Sequence, residues 1–560
     1  MSNRPKTEDA ERPARQPIRL TLLPTLAAVL WLPQAGLLAQ AISNVADRMS
    51  WGATILPAAT AAAIGILRVI LGALSERAGH QHARARVSAL RMTAIMALSE
   101  RAPLDRRAIP SGEAASMIAE QADSITPWLA RFGPARMKAV LVPLAIFLAI
   151  LPLSWTAALV LLIAMPVIPV FMALIGWQAQ AASKAQLVEI GAMNAFLLDR
   201  LRGLATIRGL GATDRVATSV RAEAEGLRAR SMAVLRIAFL TSAVLELFAA
   251  LGVAMVAVYV GFHLLGDLNF GAWGDTLSLA QGMFILLLAP AFFEPLRDLS
   301  AIWHDKAAGQ AAQDNLLRLS RSERTLPEAG LGTTPSASTG PQAASVRVAG
   351  LRFRHGDDGG TLPAGLNFTL AAGEHLALTG PSGAGKTTLL ALIAGLDLPQ
   401  AGRIEIDCEA LTAETATRLR ARMAWIGQSP HIFAGSLAQN VTMGRKEIGP
   451  EKVSRALSDM HLGAMARIRG TAPIGEGGNG ISGGEALRLA LARIAVSPVR
   501  LVLADEPTAH LDLETAESVT ESLLALAQGR SLIVATHDPR LAARMDRQIS
   551  LPAPATVEAP

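Results

Sequence analysis

Between residues 139 and 183 the chain runs for 45 positions without a charged side chain. A soluble domain has no use for such a run, whereas about 20 apolar residues cross the hydrocarbon core of a bilayer. Inside a bilayer each backbone N–H and C=O must find its partner within the segment, so the crossings are read as helices. The run holds two of them, with a break expected near Pro152-Leu153-Ser154. Four more stretches have the same character. They are residues 20–42, residues 49–67, residues 237–265 interrupted only by Glu246, and residues 276–293 with Pro290 expected to kink the helix. Arg68 interrupts what would otherwise extend the second of these to Ser75. Six spans are therefore expected.

The basic residues of this +6 chain gather beside these spans. Residues 75–137 hold nine arginines and residues 178–236 hold eight plus Lys184, while residues 266–275 hold none. The positive-inside bias puts the N-terminus, both long connections and the C-terminal half on the cytoplasmic side, with membrane lipid as the surrounding partner. Aromatic residues make up only 4% and do not interleave with the basic ones, which argues against nucleic acid as a partner. The basic start and first apolar run mimic a secretory signal. That run exceeds the roughly 7–15 residues of a signal core, so a retained first helix is expected. The single cysteine, Cys408, excludes an internal disulfide and a cysteine-built zinc site, and is read as a small packed residue.

The expected layout is multidomain. A cytoplasmic segment (1–19) precedes an all-α polytopic membrane domain (20–320) whose long cytoplasmic connections are helical. A Ser/Thr/Gly/Pro-rich linker (321–344) leads to an α/β P-loop nucleotide-binding domain (345–550) and a Pro/Ala-rich tail (551–560). Strands are expected at 374–379, 403–406, 423–426, 501–504 and 531–535, alternating with helices in a largely parallel sheet.

The second domain carries the chemistry. Gly380-Pro381-Ser382-Gly383-Ala384-Gly385-Lys386-Thr387-Thr388 fits G-x-x-x-x-G-K-[ST], set between an apolar strand and a helix start. In that pattern backbone N–H groups cradle phosphates at a helix N-terminus, the lysine reaches the β- and γ-phosphates, and the Thr387 hydroxyl ligates Mg²⁺. The apolar strand 501–504 ends in Asp505-Glu506. Asp505 is placed to hold Mg²⁺ and Glu506 to act as general base on the attacking water.

Ile481-Ser482-Gly483-Gly484-Glu485 resembles the LSGGQ signature of ATP-binding cassette (ABC) proteins, with Arg488 and Leu491-Ala492-Arg493 in the helix that follows. Gln428 in Trp425-Ile426-Gly427-Gln428 resembles the Q-loop, Ala509-His510-Leu511-Asp512 the D-loop, and His537 the switch histidine. The resemblance implies an exporter-type half-transporter using ATP and Mg²⁺, six spans preceding one cassette. Its site would be composite. Lys386, Thr387, Gln428, Asp505, Glu506 and His537 of one chain would face Ser482, Gly483, Gly484 and Glu485 of another, with Asp512 beside them and Gln428 also near the metal. The signature departs from the family pattern at Ile481 and Glu485. The adenine-stacking position, usually a tyrosine, reads His355.

Three membrane-domain segments, 166–172, 196–206 and 290–299, are similar to the CydD subunits of CydDC-type exporters. That resemblance implies export of cysteine or glutathione across a bacterial inner membrane, a CydC-like partner in a heterodimer, and a role in cytochrome bd assembly. A homodimeric lipid or drug exporter, or a haem-handling role with His263 among the conceivable ligands, are the alternatives. Arg68 and Glu246, charged within apolar spans, are candidates for a cargo path. Arg68 is read as binding a substrate carboxylate, pairing with Glu246, or snorkelling to the cytoplasmic interface.

Overall fold

In the computed structural model the described residues are 17–552, apart from 106–108, 167–192, 194–195, 198, 202, 269, 274–275, 322–323, 328–342, 356–361, 364 and 475–479. The chain divides into two compact units, one of residues 1–95 and 111–320, the other of residues 96–110 and 321–560.

The first unit is helical. It contains α1 (Ile18–Val29), α2 (Trp31–Ala46), α3 (Trp51–Ser99), α4 (Ser111–Ala119), α5 (Ile125–Ile150), α6 (Trp155–Pro166), α7 (Thr213–Leu265) and α8 (Leu279–Ser320). Among the described residues five helical stretches are long and apolar enough to cross a membrane, α1 and α2 counting as one. The expected break falls where predicted, in the turn 151–154 between α5 and α6. The rest of the fourth expected span lies outside the described residues. Charge-free length underestimates these helices, because they continue past the apolar zone: α3 runs 49 residues and α7 runs 53. Pro290 and Pro295 both lie inside α8, which remains one helix. The unit's core is drawn from α2, α5, α6, α7 and α8, with Phe292 and Phe293 fully enclosed and meeting edge to face at 5.2 Å.

The second unit contains two sheets. The first has order β2-β1-β4-β5 and is antiparallel, from β1 (Val346–Arg352), β2 (Leu366–Leu370), β4 (Ala401–Ile406) and β5 (Glu409–Ala410). The second is parallel with order β6-β7-β8-β3-β9, from β3 (His375–Thr379), β6 (Met423–Ile426), β7 (Leu501–Asp505), β8 (Ser531–Ala535) and β9 (Arg547–Ser550). The expected strand at 403–406 is thus real but belongs to the antiparallel sheet. Cys408 is exposed in the turn joining β4 and β5 and holds φ +61°, so it is not a packed residue.

The central strands β7 and β8 are buried at every position because both faces are covered. Leu501 and Leu503 enter the core that contains the helix α9 (Lys386–Ile393), and Val502 and Ala504 enter the opposite one. This two-residue alternation fixes the next residue: Asp505 falls on the α9 side.

Residues 96–105, the end of α3 and the segment after it, pack with this unit. Leu326 N donates to Glu100 O at 2.6 Å, Ala102 N to Arg324 O at 3.1 Å, and Leu104 lies against the α9-side core.

Candidate functional site

The carboxyl end of the parallel sheet gathers the phosphate loop, two carboxylates and a histidine. The loop leaves β3 at Thr379 and enters α9 at Lys386. Gly385 holds φ +91°, and a Cβ there would stand 2.5 Å from Leu362 Cδ2, so both backbone and space require glycine. Lys386 is only 7% exposed. Its Nζ donates to Gly380 O at 2.9 Å and Pro381 O at 3.3 Å, and lies 3.6 Å from a Glu506 carboxylate oxygen. A buried ammonium inside the loop, held by two carbonyls and one carboxylate, is a binding point for phosphate.

Asp505 is buried, and its Oδ1 accepts no hydrogen bond among the described residues. Burial pushes its carboxyl above the usual range; a hydrogen bond from Thr387 and the Lys386 ammonium oppose this, and the charge of Glu506 adds to it. A buried acceptor without a donor, beside a threonine hydroxyl, fits a hard divalent cation such as Mg²⁺.

Glu506 is the first residue past β7 and adopts φ +49°, a costly conformation for a side chain of this size. Its N–H donates to Ala535 O at 2.8 Å, which pins it to the end of β8. His537 lies two residues beyond β8, and its Nδ1 donates to Glu506 Oε2 at 2.6 Å. A carboxylate held between an ammonium and an imidazole can accept a proton from water, and the imidazole keeps it oriented.

Gln428 is exposed two residues past β6 and makes no side-chain hydrogen bond among the described residues. His355 follows β1; its Nε2 lies 2.9 Å from Thr388 Oγ1, and its ring meets Phe353 edge-on at 5.0 Å. The histidine is therefore tied to the helix that carries the phosphate loop.

Ser482, Gly483, Gly484 and Glu485 begin the helix α10 (Gly483–Ala495). Ser482 Oγ accepts from Glu485 N at 3.2 Å, and Glu485 Oε2 accepts from Ser482 N at 2.7 Å, a complete capping box. The departure at Glu485 is thereby explained locally, since glutamate caps as well as glutamine does. Asp512 caps the helix α11 (Leu513–Ala527), accepting from Thr515 N at 3.1 Å; a hydrogen bond from the Thr515 side chain, and then this backbone one, hold its carboxyl below the usual range. No hydrogen bond or ion pair among the described residues joins this constellation to Lys386, Asp505, Glu506 and His537. Sequence reasoning assigned no role to Arg493 of α10. It donates to Asn440 O, Asn440 Oδ1 and His431 O at 2.7–2.9 Å, binding α10 to the segment after Gln428. Its signal was present, an arginine on the buried face of an apolar helix.

In the membrane unit, Arg68 Nε donates to Ala27 O at 3.1 Å and Nη1 to Gln34 Oε1 at 3.0 Å, with the guanidinium 5.0 Å over the Trp31 ring. Glu246 pairs instead with Arg297 at 3.2 Å. The Arg68–Glu246 pair does not form, and Arg68 instead reaches the neighbouring helices α1 and α2. His263 is 1% exposed and its Nδ1 accepts from Leu277 N at 3.3 Å, which makes it a core residue at the end of α7.

Residues 364–509 match the family model described as "ABC transporter", and residues 18–287 match "ABC transporter transmembrane region". The chain is 35% identical to the glutathione/L-cysteine transport system ATP-binding/permease protein CydD of Escherichia coli, over 92% of this chain and 87% of that one. It is 29% identical to the corresponding CydC protein of Bacillus subtilis, over 79% of this chain and 75% of that one. Among solved structures, a bacterial Atm1-family ABC exporter with ATP bound is alike in fold, with TM-score 0.74 and 23% identity over 95% of this chain and 93% of that one.

Proposed function

The chain belongs to the ABC transporter family, an ATP-hydrolysing exporter half with a helical membrane domain and one nucleotide-binding domain, and from that premise we propose that it exports glutathione or cysteine as half of a heterodimer with a CydC-like partner. The likeness to CydD over 92% of the chain carries this reading. The membrane is the bacterial inner membrane, with the ATP-binding unit on the cytoplasmic side, and the export supports cytochrome bd assembly.

In this reading the loop 380–388 cradles the nucleotide phosphates, and Lys386 exchanges the Gly380 and Pro381 carbonyls for phosphate oxygens. Asp505 and Thr387 hold Mg²⁺, with Gln428 close by, and the metal supplies charge neutralisation of the phosphates. Glu506 takes the proton of the attacking water while His537 fixes its carboxylate. His355 lies against the adenine end of the site. The Ser482, Gly483 and Gly484 backbone of the partner chain completes the phosphate cage from a helix N-terminus. Asp512 and Glu485 act through their caps, holding the D-loop and signature in shape.

The test is uptake of labelled glutathione into inside-out vesicles containing this chain and its partner. ATP-dependent accumulation that needs both chains is expected. Full transport by this chain alone would overturn the heterodimer, and ATP hydrolysis with no accumulation of glutathione or cysteine would overturn the cargo.

A further inference from the structure

The membrane unit has an open cavity of about 990 Å³ between α1, α2, α3, α5 and α8, within the range of small-molecule sites. Charged side chains of both signs line it. Glu76, Arg131, Lys138, Glu294 and Asp298 all face it, and none forms an ion pair among the described residues. Glu76, Arg131, Glu294 and Asp298 are exposed and fall outside the charge-free spans, whereas Arg68 interrupts an apolar span, where an uncompensated charge is costly.

Arg68 differs from the others because it is already fixed. Two of its nitrogens are occupied by Ala27 O and Gln34 Oε1, and Trp31 supports the guanidinium plane. Nη2 has no protein partner among the described residues, in a residue that lines the cavity. Trp31 is itself anchored, its Nε1 donating to Leu287 O at 3.3 Å. Gln34 lies over Gly65, one turn before Arg68, where a Cβ would stand 2.7 Å from the Gln34 amide nitrogen. The bare Cα of Gly65 therefore gives Gln34 the room it needs to reach the arginine. A guanidinium fixed in this way loses little side-chain freedom when it binds an anion.

Proline supplies the complementary half. Pro134, Pro290 and Pro295 lack the N–H that would pair with the carbonyl four residues earlier. Those carbonyls belong to Ala130, Leu286 and Ala291, and all three residues line the same cavity.

We propose that this cavity binds a zwitterionic, carboxylate-bearing peptide, and that Arg68 is the residue that reads its carboxylate, positioned by Gln34 and Trp31. The freed carbonyls and Glu76, Glu294 and Asp298 receive its ammonium and amide N–H groups. An apolar lipid or drug would leave the Arg68 charge without an anion. The proposal deepens the export reading given above and rests on it for the choice of peptide.

Binding of labelled glutathione, S-methylglutathione and glutathione diethyl ester to the full chain with its partner, in nanodiscs, tests it. Wild type is expected to bind both acids and to bind the diester at least about tenfold more weakly, the loss of one charge-assisted contact. Arg68→Ala should weaken the acids about tenfold and erase the preference over the diester, with ATP affinity unchanged. Gly65→Ala, which displaces Gln34 without touching Arg68, should reduce that preference in part, whereas a purely structural role would lower all three ligands together. An Arg68→Ala protein that keeps the preference overturns the proposal, as does a wild type that binds acid and diester alike. Equal binding of glutathione and S-methylglutathione supports the cavity while removing the thiol from the cargo reading. A wild type that binds neither acid overturns both.

Discussion

The two units hold their charged groups in opposite ways. In the nucleotide-binding unit Lys386, Asp505, Glu506 and His537 sit within a few residues of strand and helix ends, and most touch one another. In the membrane unit Arg68 is bound by polar groups of two other helices, Glu246 pairs with Arg297, and five charges around one cavity form no ion pair among the described residues. The first arrangement is a site closed on itself and waiting for phosphate and metal. The second is open, its charges spread over several helices around one cavity. Local sequence spacing specifies the former, because strand-end geometry is the same wherever a parallel sheet ends. The latter depends on which helices pack together.

Substituting one residue of each arrangement measures the contrast. The largest effect is expected from Glu506→Gln, which keeps shape and removes the base. ATP hydrolysis should fall by about 10²–10⁴-fold with ATP binding retained, and unchanged turnover in a phosphate-release assay would take Glu506 out of the role of base. Arg493→Ala is next. It strips three hydrogen bonds from a half-buried arginine and leaves the Asn440 and His431 carbonyls bare, so a loss of about 2–3 kcal/mol is expected in denaturant unfolding of the full chain. A loss confined to the surface range would show that α10 is held by packing alone.

Asp505 gives a smaller, pH-dependent effect. Its folded carboxyl binds a proton more readily than the unfolded one because burial disfavours its charge. The nucleotide-free protein should therefore gain stability as pH falls from neutral through that raised value, down to the ordinary carboxylate range. Asp505→Asn should raise the melting temperature at neutral pH, flatten that part of the profile and abolish Mg²⁺-dependent hydrolysis. A lower melting temperature at neutral pH would mean that the carboxylate is stabilised by contacts rather than strained by burial. Smallest of all, Glu246→Gln should change stability by about 1 kcal/mol, since glutamine can still accept a hydrogen bond from Arg297 in place of the ion pair. A larger loss would bring the membrane unit closer to the closed kind of site.

Much of the nucleotide site was legible in the sequence. Glycines at 380, 383 and 385 before Lys386, and an apolar strand ending in Asp505-Glu506, each state a local backbone requirement. The alternation along β7 even assigns Asp505 to the side of the phosphate-loop helix. Other features were invisible because they depend on distant chain. The strand at 403–406 looked like a member of the parallel sheet, since an isolated apolar strand does not reveal its partners. His355 meets Thr388 across 33 positions, and the segment 96–105 pairs with residues 324–326 from the far side of the membrane unit's sequence. Arg493 gave a signal without an address.

What the sequence determined by itself is therefore local. Charge-free length requires membrane helices, because a bilayer leaves no unpaired backbone group tolerable, and the glycine-lysine loop requires a phosphate cradle. What only the tertiary structure decided is which long-range partner each side chain meets. Arg68 was compatible with Glu246, with an interface or with a cargo, and the structure removes the first, because Gln34, Ala27 and Trp31, which packing of α1 and α2 against α3 brings within reach, hold the guanidinium while Glu246 meets Arg297. A guanidinium binds the best acceptor within a few ångströms, and hydropathy along a chain carries no information about which acceptor that is.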